Sequence, residues 1–251
     1  MWRLKQGLLI AITAALIANC FLAAKPAPAV AQSGNFSESP ALAGQVKAGK
    51  LPPVEKRLPE QPLVVPVVEK IGEYGGVWRR AFLGPADANN YVRVVYDALF
   101  RFSPDGAKIE PKIAGGAEPS SDFRAWTVAL RKGARWSDGA PFTADDIVFW
   151  YKDVVLNKDL TPALPGWIRN ADGSPAKVEK IDDYTVRFTY KEAATLFLTA
   201  LANQDGADRT FAIFLPGHYL KKFHPAYTSK EEIDRQVQGA GFKTWTELFA
   251  A

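Results

Sequence analysis

The sequence predicts a mixed α/β fold, because strand-like and helix-like segments alternate along the chain. Residues 126–131 and 184–190 each alternate apolar with more polar side chains, which is typical of strands with one buried face. Between them, Thr143 is a helix N-cap with Asp146 three residues on. The helix that follows has one apolar stripe, made of Ile147, Trp150, Tyr151 and Val154. Interleaved elements of this kind favour a mixed sheet packed with helices, α/β or α+β, over a helix bundle or a β-sandwich.

Further elements are predicted on both sides of this stretch. Turns are expected at 132–133, at 137–139 and at 182–183, where Gly, Asp and Ser are concentrated. Alternation predicts strands over 77–82 and 211–215, with a short edge or connector at 109–111. Periodicity and capping residues predict helices over 91–100, 196–202 and 229–238, and a last helix that opens at Thr244. The helix that begins at Thr143 is expected to stop near Asn157.

The first 31 residues have the layout of a secretory signal peptide. Arg3 and Lys5 precede an apolar run over 7–24, and residues 29–31 read Ala-Val-Ala, a small-residue cleavage site. We therefore expect cleavage before Gln32 and a periplasmic protein. Lipidation at Cys20 is disfavoured, because the residues before it, Ile-Ala-Asn, depart from a lipobox. No later segment is apolar enough to span a bilayer.

Charge and cysteine content exclude several classes of function for the processed protein. The chain has 31 basic and 27 acidic residues, and the three basic residues of the predicted signal leave 28 bases against the same 27 acids. A nearly neutral protein gives no support for a nucleic-acid or anionic-membrane partner. The single cysteine lies in the predicted signal, so the remainder has no disulfide, no thiolate nucleophile and no Cys-ligated metal.

Residues 32–72 are rich in Pro, Gly, Ala and Ser, and we interpret them as an extended linker. Within them, residues 44–51 read GQVKAGKL, which matches a phosphate-binding loop except that Leu51 replaces the Ser or Thr that such loops need for magnesium. No predicted strand precedes this match, so we interpret it as chance and expect no nucleotide or other cofactor.

Residues 126–149, WTVALRKGARWSDGAPFTADDIVF, resemble the signature of the family 5 extracellular solute-binding proteins, the oligopeptide-, dipeptide- and nickel-binding components of ABC importers. Weaker matches lie in the family's order at 96–99, 111–114 and 216–218, so that the resemblance covers about residues 73–220. Within the signature, Gly and Pro set turns, Thr143 caps a helix, and aromatic residues fill a core. The signature itself is therefore expected to be architectural.

The resemblance implies a periplasmic-binding-protein-like fold of type II (cluster C) and a division of the chain. Residues 73–90 and 195–251 would form the ligand-facing domain of the first lobe, and residues 91–194 its extra subdomain. Relatives are about twice as long, so we expect a truncated chain whose second lobe is missing. The implied function is that of a substrate-binding component that captures peptides or similar small solutes and delivers them to permease subunits in the cytoplasmic membrane.

Two polar segments are candidate ligand contacts. Gly84, Asp87, Asn89 and Asn90 lie in a predicted loop after the first strand, where ligands of mixed sheets tend to bind. Asn203 and Asp205 end a predicted apolar helix. An ordinary polar turn is the alternative interpretation of both segments.

Catalysis and metal binding are not expected. The adjacent acidic pairs at 145–146, 182–183 and 231–232 point their side chains apart, and caps, turns and solvated faces account for them. His218 and His224 are too few for a metal cage, and the Gly-x-Ser-x-Gly nucleophile motif is absent. The competing hypotheses are a secreted hydrolase that uses carboxylates and a carbohydrate-binding module that uses surface tryptophans, of which Trp167 is one candidate for stacking on a ligand.

We expect the exported protein to begin at Gln32, because Ala29 and Ala31 supply the small side chains that signal peptidase requires. N-terminal sequencing of the periplasmic fraction measures this directly. Replacing Ala31 with Arg is expected to leave the unprocessed form. A mature protein that begins at a lipid-modified Cys20 would contradict the prediction.

Overall fold

The computed structural model describes residues 36–67, 69–81, 83–84, 97–202 and 213–251. Its helices are α1 (Pro40–Lys47), α2 (Val54–Arg57), α3 (Ala144–Phe149), α4 (Phe197–Ala202), α5 (Gly217–Leu220), α6 (Lys230–Ala240) and α7 (Trp245–Ala250). Its strands are β1 (Phe100–Phe102), β2 (Ile109–Pro111), β3 (Ala114–Pro119), β4 (Ala125–Leu130), β5 (Lys177–Asp182) and β6 (Thr185–Thr189). A π-helical turn (Trp150–Val155) extends α3, and 3₁₀ turns occupy Gly166–Ile168 and Lys221–Phe223. The predicted signal peptide lies outside the described residues.

A four-stranded antiparallel sheet in the order β3-β4-β6-β5 organises the core. Trp126 pairs with Phe188 and Val128 with Val186 across β4 and β6, and all four side chains are buried. The predicted apolar stripe, on α3 and the π-helical turn after it, is buried too, and its Ile147, Trp150 and Tyr151 belong to the same core cluster as these strands. The mixed α/β class and the two central strands are thus confirmed. Of the described residues, none belongs to a helix long and apolar enough to cross a membrane.

The outer strands β3 and β5 were not predicted. The sequence of β3, AGGAEP, carries no large apolar side chain, and β5, KVEKID, buries only Val178. Such edge strands are held by ladder hydrogen bonds to β4 and β6 rather than by their own side chains, so periodicity does not reveal them. The predicted connector at 109–111 is the strand β2, which pairs with β1.

Three predicted elements differ from the structure in their described parts. Residues 77–81 form no strand and are exposed, because none of the described strands lies beside them to pair with their backbone. The helix predicted over 91–100 is wrong from residue 97 on, since Phe100 starts β1 opposite Pro111; residues 91–96 lie outside the described residues. The strand predicted over 211–215 is irregular at 213–215, although Ile213 is buried.

The segment predicted to be an extended linker contains two helices and contacts residues 131–142, which we call the signature hairpin because Arg135 pairs with Pro141 there. Pro40 is tolerated in α1 because the first helical position has no hydrogen bond to lose. This helix includes Gly44 and Lys47, so the apparent phosphate-binding loop is not formed. Farther along, Glu60 N donates to Lys132 O at 2.9 Å, and Arg131 Nη1 donates to Gln61 O at 2.8 Å. The prediction of an extended linker is therefore wrong for these residues.

The buried carboxylate of Asp146 joins three parts of the chain. Its Oδ2 accepts from Trp136 Nε1 at 3.1 Å and from Thr143 N at 3.0 Å, and its Oδ1 accepts from Gly217 N at 3.2 Å. Thr143 Oγ1 in turn accepts from Asp145 N at 3.3 Å, which confirms the predicted cap. The signature turn, the start of α3 and the start of α5 are thus held together by one residue.

Gly217 stands where α5 meets α3, and a side chain there would press against Phe149. A Cβ at this position would lie 3.1 Å from Phe149 Cγ and 3.3 Å from Phe149 Cβ. Because Phe149 is itself buried, its ring has little room to move away. The close approach explains why glycine follows Pro216 at the point where the chain returns to the Asp146 carboxylate.

Replacing Gly217 with Ala is therefore expected to lower the free energy of unfolding by about 1–3 kcal/mol through overpacking. Gly239 in α6 is the matched control, since a Cβ there meets nothing within 4 Å. At that position Gly→Ala is expected to raise stability by about 0.5–1 kcal/mol. Urea unfolding of the two variants measures both effects, and equal effects at the two positions would contradict the close contact.

Candidate functional site

The sequence-predicted ligand contacts fall largely outside the described residues. Asp87, Asn89, Asn90, Asn203 and Asp205 all lie there, so their role stays a prediction. Gly84 is described; it is partly buried and has a φ of 131°, which only glycine adopts readily. The helix α4 ends at Ala202, so Asn203 follows directly on a helix that lines the cavity described next.

A cavity of about 500 Å³ opens between the 3₁₀ turn Gly166–Ile168, the end of β6 and α4. Its aromatic lining residues are Trp167, Tyr190 and Phe197. Small and polar residues complete the lining: Gly166, Arg169, Glu192, Ala193, Ala194, Thr195, Leu196, Thr199 and Ala200. We refer to it as the Trp167 cavity.

The aromatic wall of the Trp167 cavity is fixed by its own packing. Trp167 stacks on Trp150 with ring centroids 5.7 Å apart and an interplanar angle of 6°, and Phe197 stacks on Trp126 at 5.2 Å. Tyr190 Oη donates to Trp167 O at 3.0 Å, and burial raises the pKa of Tyr190 well above its usual value. The wall is therefore preorganised and keeps its phenol neutral at physiological pH.

Opposite charges lie on the rim of the Trp167 cavity. Glu192 Oε2 accepts from Ala171 N at 3.4 Å, and Arg169 is exposed. The indole N–H of Trp167 is buried and has no hydrogen-bond partner among the described residues. Glu192, Arg169 and the two threonines, Thr195 and Thr199, provide donors and acceptors beside apolar rings, the combination that small-molecule sites use.

The two histidines have structural partners. His218 Nε2 lies 2.7 Å from Asp138 Oδ2. The pKa of Asp138 is lowered mainly by the hydrogen bond from the N–H of Ala140, and to a smaller extent by His218. His224 is buried among aromatic rings; its Nδ1 accepts from Ala226 N at 3.1 Å, and its Nε2 lies 3.1 Å from Asp153 O. In the part of the chain that the structure describes, no group of three metal-ligating side chains comes together.

The adjacent acidic pairs also have structural partners, as predicted. Asp145 forms an ion pair with Lys180 at 2.8 Å, whereas Asp146 is buried in the hydrogen-bonded position described above. Asp182 Oδ1 accepts from Tyr184 N at 2.8 Å, while Asp183 pairs with Lys180. Glu232 bonds to Arg235 and Gln236 of its own helix. The two carboxylates of the pairs at 145–146 and 182–183 thus have different surroundings and do not face one reacting bond.

Sequence reasoning missed most of the Trp167 cavity. The sequence singles out Trp167 as a candidate for stacking on a ligand, but residues 190–200 carry no signal that places them beside it. The contact arises because Tyr190, the residue directly after β6, lies next to a turn 23 residues earlier in the chain. The signal in the sequence was the group of small residues shortly after the predicted strand, Ala193, Ala194 and Thr195, which leaves space beside the end of that strand.

Comparison with known proteins identifies relatives of this chain. The profile of the bacterial extracellular solute-binding proteins, family 5 Middle, matches residues 108–237. The periplasmic alpha-galactoside-binding protein of Rhizobium meliloti (strain 1021) is 36% identical over 205 residues, which are 72% of this chain and 28% of that protein. The periplasmic oligopeptide-binding protein OppA of Haemophilus influenzae is 43% identical over 95 residues, 33% of this chain and 18% of that protein.

Two solved structures resemble the fold. An oligopeptide-binding protein OppA is 44% identical with a TM-score of 0.77, over 86% of this chain and 32% of that one. The binding protein MelB of Agrobacterium fabrum C58, in complex with stachyose, is 30% identical with a TM-score of 0.59, over 82% and 33%. The chain spans less than a third of the length of the R. meliloti relative and about a third of these two structures. Since the family profile covers more than half of the chain, this protein belongs to the bacterial extracellular solute-binding proteins of family 5.

Proposed function

We propose that this protein is a substrate-binding component of an ABC importer, which captures peptides or similar small solutes in the periplasm and delivers them to a membrane permease. The observation that carries the proposal is the position of the Trp167 cavity inside the region that matches the family. Its volume of about 500 Å³ falls within the range of about 300–1,000 Å³ that is usual for small-molecule sites.

The cavity supports binding rather than chemistry. Rigid aromatic faces can cover the apolar parts of a solute, while the threonine hydroxyls and the rim charges can satisfy its polar groups. Exclusion of water would strengthen these contacts, which is why closure of a second lobe over the ligand, as the family resemblance implies, would raise affinity.

The division of the chain into two parts is also a proposal. It assigns residues 73–90 and 195–251 to a ligand-facing domain and residues 91–194 to an extra subdomain. The Trp167 cavity would then lie on the boundary, since Ala194 and Thr195 both line it. Asn203 and Asp205 lie outside the described residues, and their contact with ligand stays a prediction.

Oligosaccharides are the second candidate class of solute. The R. meliloti relative is named for α-galactosides, and the MelB structure contains stachyose. Trp167, Tyr190 and Phe197 supply the flat apolar surfaces that sugar rings contact, and the same surfaces would also accept a peptide side chain. The aromatic lining by itself is compatible with both classes.

The complete protein, expressed from its full reading frame, should retain intact ligand when it is incubated with a peptide library and, separately, with α-galactosides. Native mass spectrometry of the washed protein identifies what is bound. Recovery of cleaved products alone would overturn the proposal in favour of a hydrolase that uses carboxylates. If the protein is retained on insoluble polysaccharide and binds neither peptides nor α-galactosides, the result would favour a carbohydrate-binding module.

Leu196→Ser should weaken solute binding by about tenfold, because Leu196 lines the Trp167 cavity and is 72% exposed, so its apolar surface is available to a ligand. Since the side chain contributes little to the core, the melting temperature should change little. Leu156→Ser is the matched control, because Leu156 is 39% exposed and lies outside the cavity lining. Equal losses of affinity in the two variants would show that the Trp167 cavity does not bind the solute.

A further inference from the structure

A second cavity, of about 370 Å³, lies between residues 57–63 and the signature hairpin and shares no lining residue with the Trp167 cavity. Its apolar lining includes Leu58, Leu63, Ile113, Trp136, Phe142 and Phe214. Residues 57–63 stay beside it through the backbone bond from Glu60 N to Lys132 O, so one wall of the cavity is the end of α2 and the chain that follows it. We call it the basic groove.

Three aromatic rings form a rigid floor in the basic groove. Trp136 meets Phe142 edge to face at 5.6 Å, and Phe142 meets Phe214 in the same manner at 5.3 Å. The indole N–H of Trp136 is fixed by Asp146, so this ring cannot turn away without breaking a buried hydrogen bond. An apolar group that enters the groove therefore meets preformed surface, which lowers the entropic cost of binding.

Among the described residues, the charged side chains that line the basic groove are all positive. Arg57, Lys112, Arg131 and Arg135 line it, and no acidic residue does. Arg57 is neutralised by Glu38 at 2.5 Å, and Lys112 by Asp97. Two arginines of the lining, Arg131 and Arg135, have no such ion pair within the described part of the chain.

Arg131 and Arg135 bond only to uncharged partners. Arg131 donates to Lys112 O and Gln61 O, both at 2.8 Å, and Arg135 donates to Gly139 O at 2.9 Å. Neither guanidinium has an acidic partner among the described residues. Arg131 is partly buried, and burial lowers its pKa, which is the response of a charge that lacks a counter-ion.

We propose that the basic groove is a second ligand site, which binds an amphipathic carboxylate with its apolar body on the aromatic floor and its carboxylate beside Arg135 and Arg131. The charged residues of the lining are all cations, so they repel a cationic ligand and offer no ionic contact to a neutral ligand. An anionic ligand is therefore favoured. Arginine suits this role because its planar guanidinium pairs with a carboxylate through two parallel hydrogen bonds. The proposal is independent of which solute occupies the Trp167 cavity.

Decanoate is a suitable probe, and 1-decanol is its uncharged counterpart. Isothermal titration calorimetry of the complete protein should show one saturable decanoate site, with decanol binding about tenfold more weakly because it has no charge to pair with arginine. Arg135→Gln should weaken decanoate binding by about tenfold while leaving decanol binding unchanged. Arg135 is exposed and holds only one carbonyl, so this variant is expected to fold normally.

Two control variants test whether decanoate binds in the basic groove rather than elsewhere on the protein. Arg187→Gln removes an exposed cation from β6, outside the groove lining, and should leave decanoate binding unchanged. Leu196→Ser alters the Trp167 cavity and should also leave it unchanged. The proposal is overturned if decanoate does not bind, if decanol binds equally well, or if either control variant loses affinity as Arg135→Gln does.

Discussion

The arrangement of the described chain depends on one buried carboxylate. A buried carboxyl group is stable away from water only when hydrogen-bond donors surround it, and Asp146 has three: the Trp136 indole, the backbone of Thr143 and the backbone of Gly217. These donors come from a turn, a helix start and a segment 71 residues later in the chain. The demand for hydrogen bonds therefore sets where the hairpin, α3 and α5 lie relative to each other. Trp136, Thr143 and Asp146 all lie within the stretch that resembles the family signature, which therefore contains most of this hydrogen-bonded arrangement.

Elements built from local interactions could be predicted from the sequence. The strands at 126–130 and 185–189 follow from alternation, because one face of each meets the core while the other stays partly exposed. The start of α3 follows from Thr143 and Asp146, and that of α6 from Ser229, whose hydroxyl accepts from Glu232 N at 3.3 Å. In these cases the residues that decide the structure lie within four positions of each other.

Elements that depend on distant partners could not be predicted. Residues 77–81 alternate as a strand should, but a strand also needs a neighbour for its backbone, and alternation carries no information about that neighbour. Conversely, β3 has almost no side chains to pattern and exists because β4 lies beside it. The Trp167 cavity is of the same kind, since Tyr190 and Trp167 meet only through the fold. The packing of residues 57–63 also arises from long-range backbone bonds, which proline content does not reveal.

The π-helical turn after α3 has a consequence for how the later chain is held. A wider turn lengthens the hydrogen-bonded ring from four residues to five, and carbonyl groups at its end lack the donors that a continuing turn would supply. Two of these carbonyls are contacted by side chains from elsewhere: Thr161 Oγ1 donates to Val154 O at 2.7 Å, and His224 Nε2 lies 3.1 Å from Asp153 O. The imidazole of His224 therefore joins the C-terminal segment to the end of the π-helical turn, which continues the helix that packs against the sheet. Two later segments of the chain thus depend on carbonyl groups that the end of one helix leaves available.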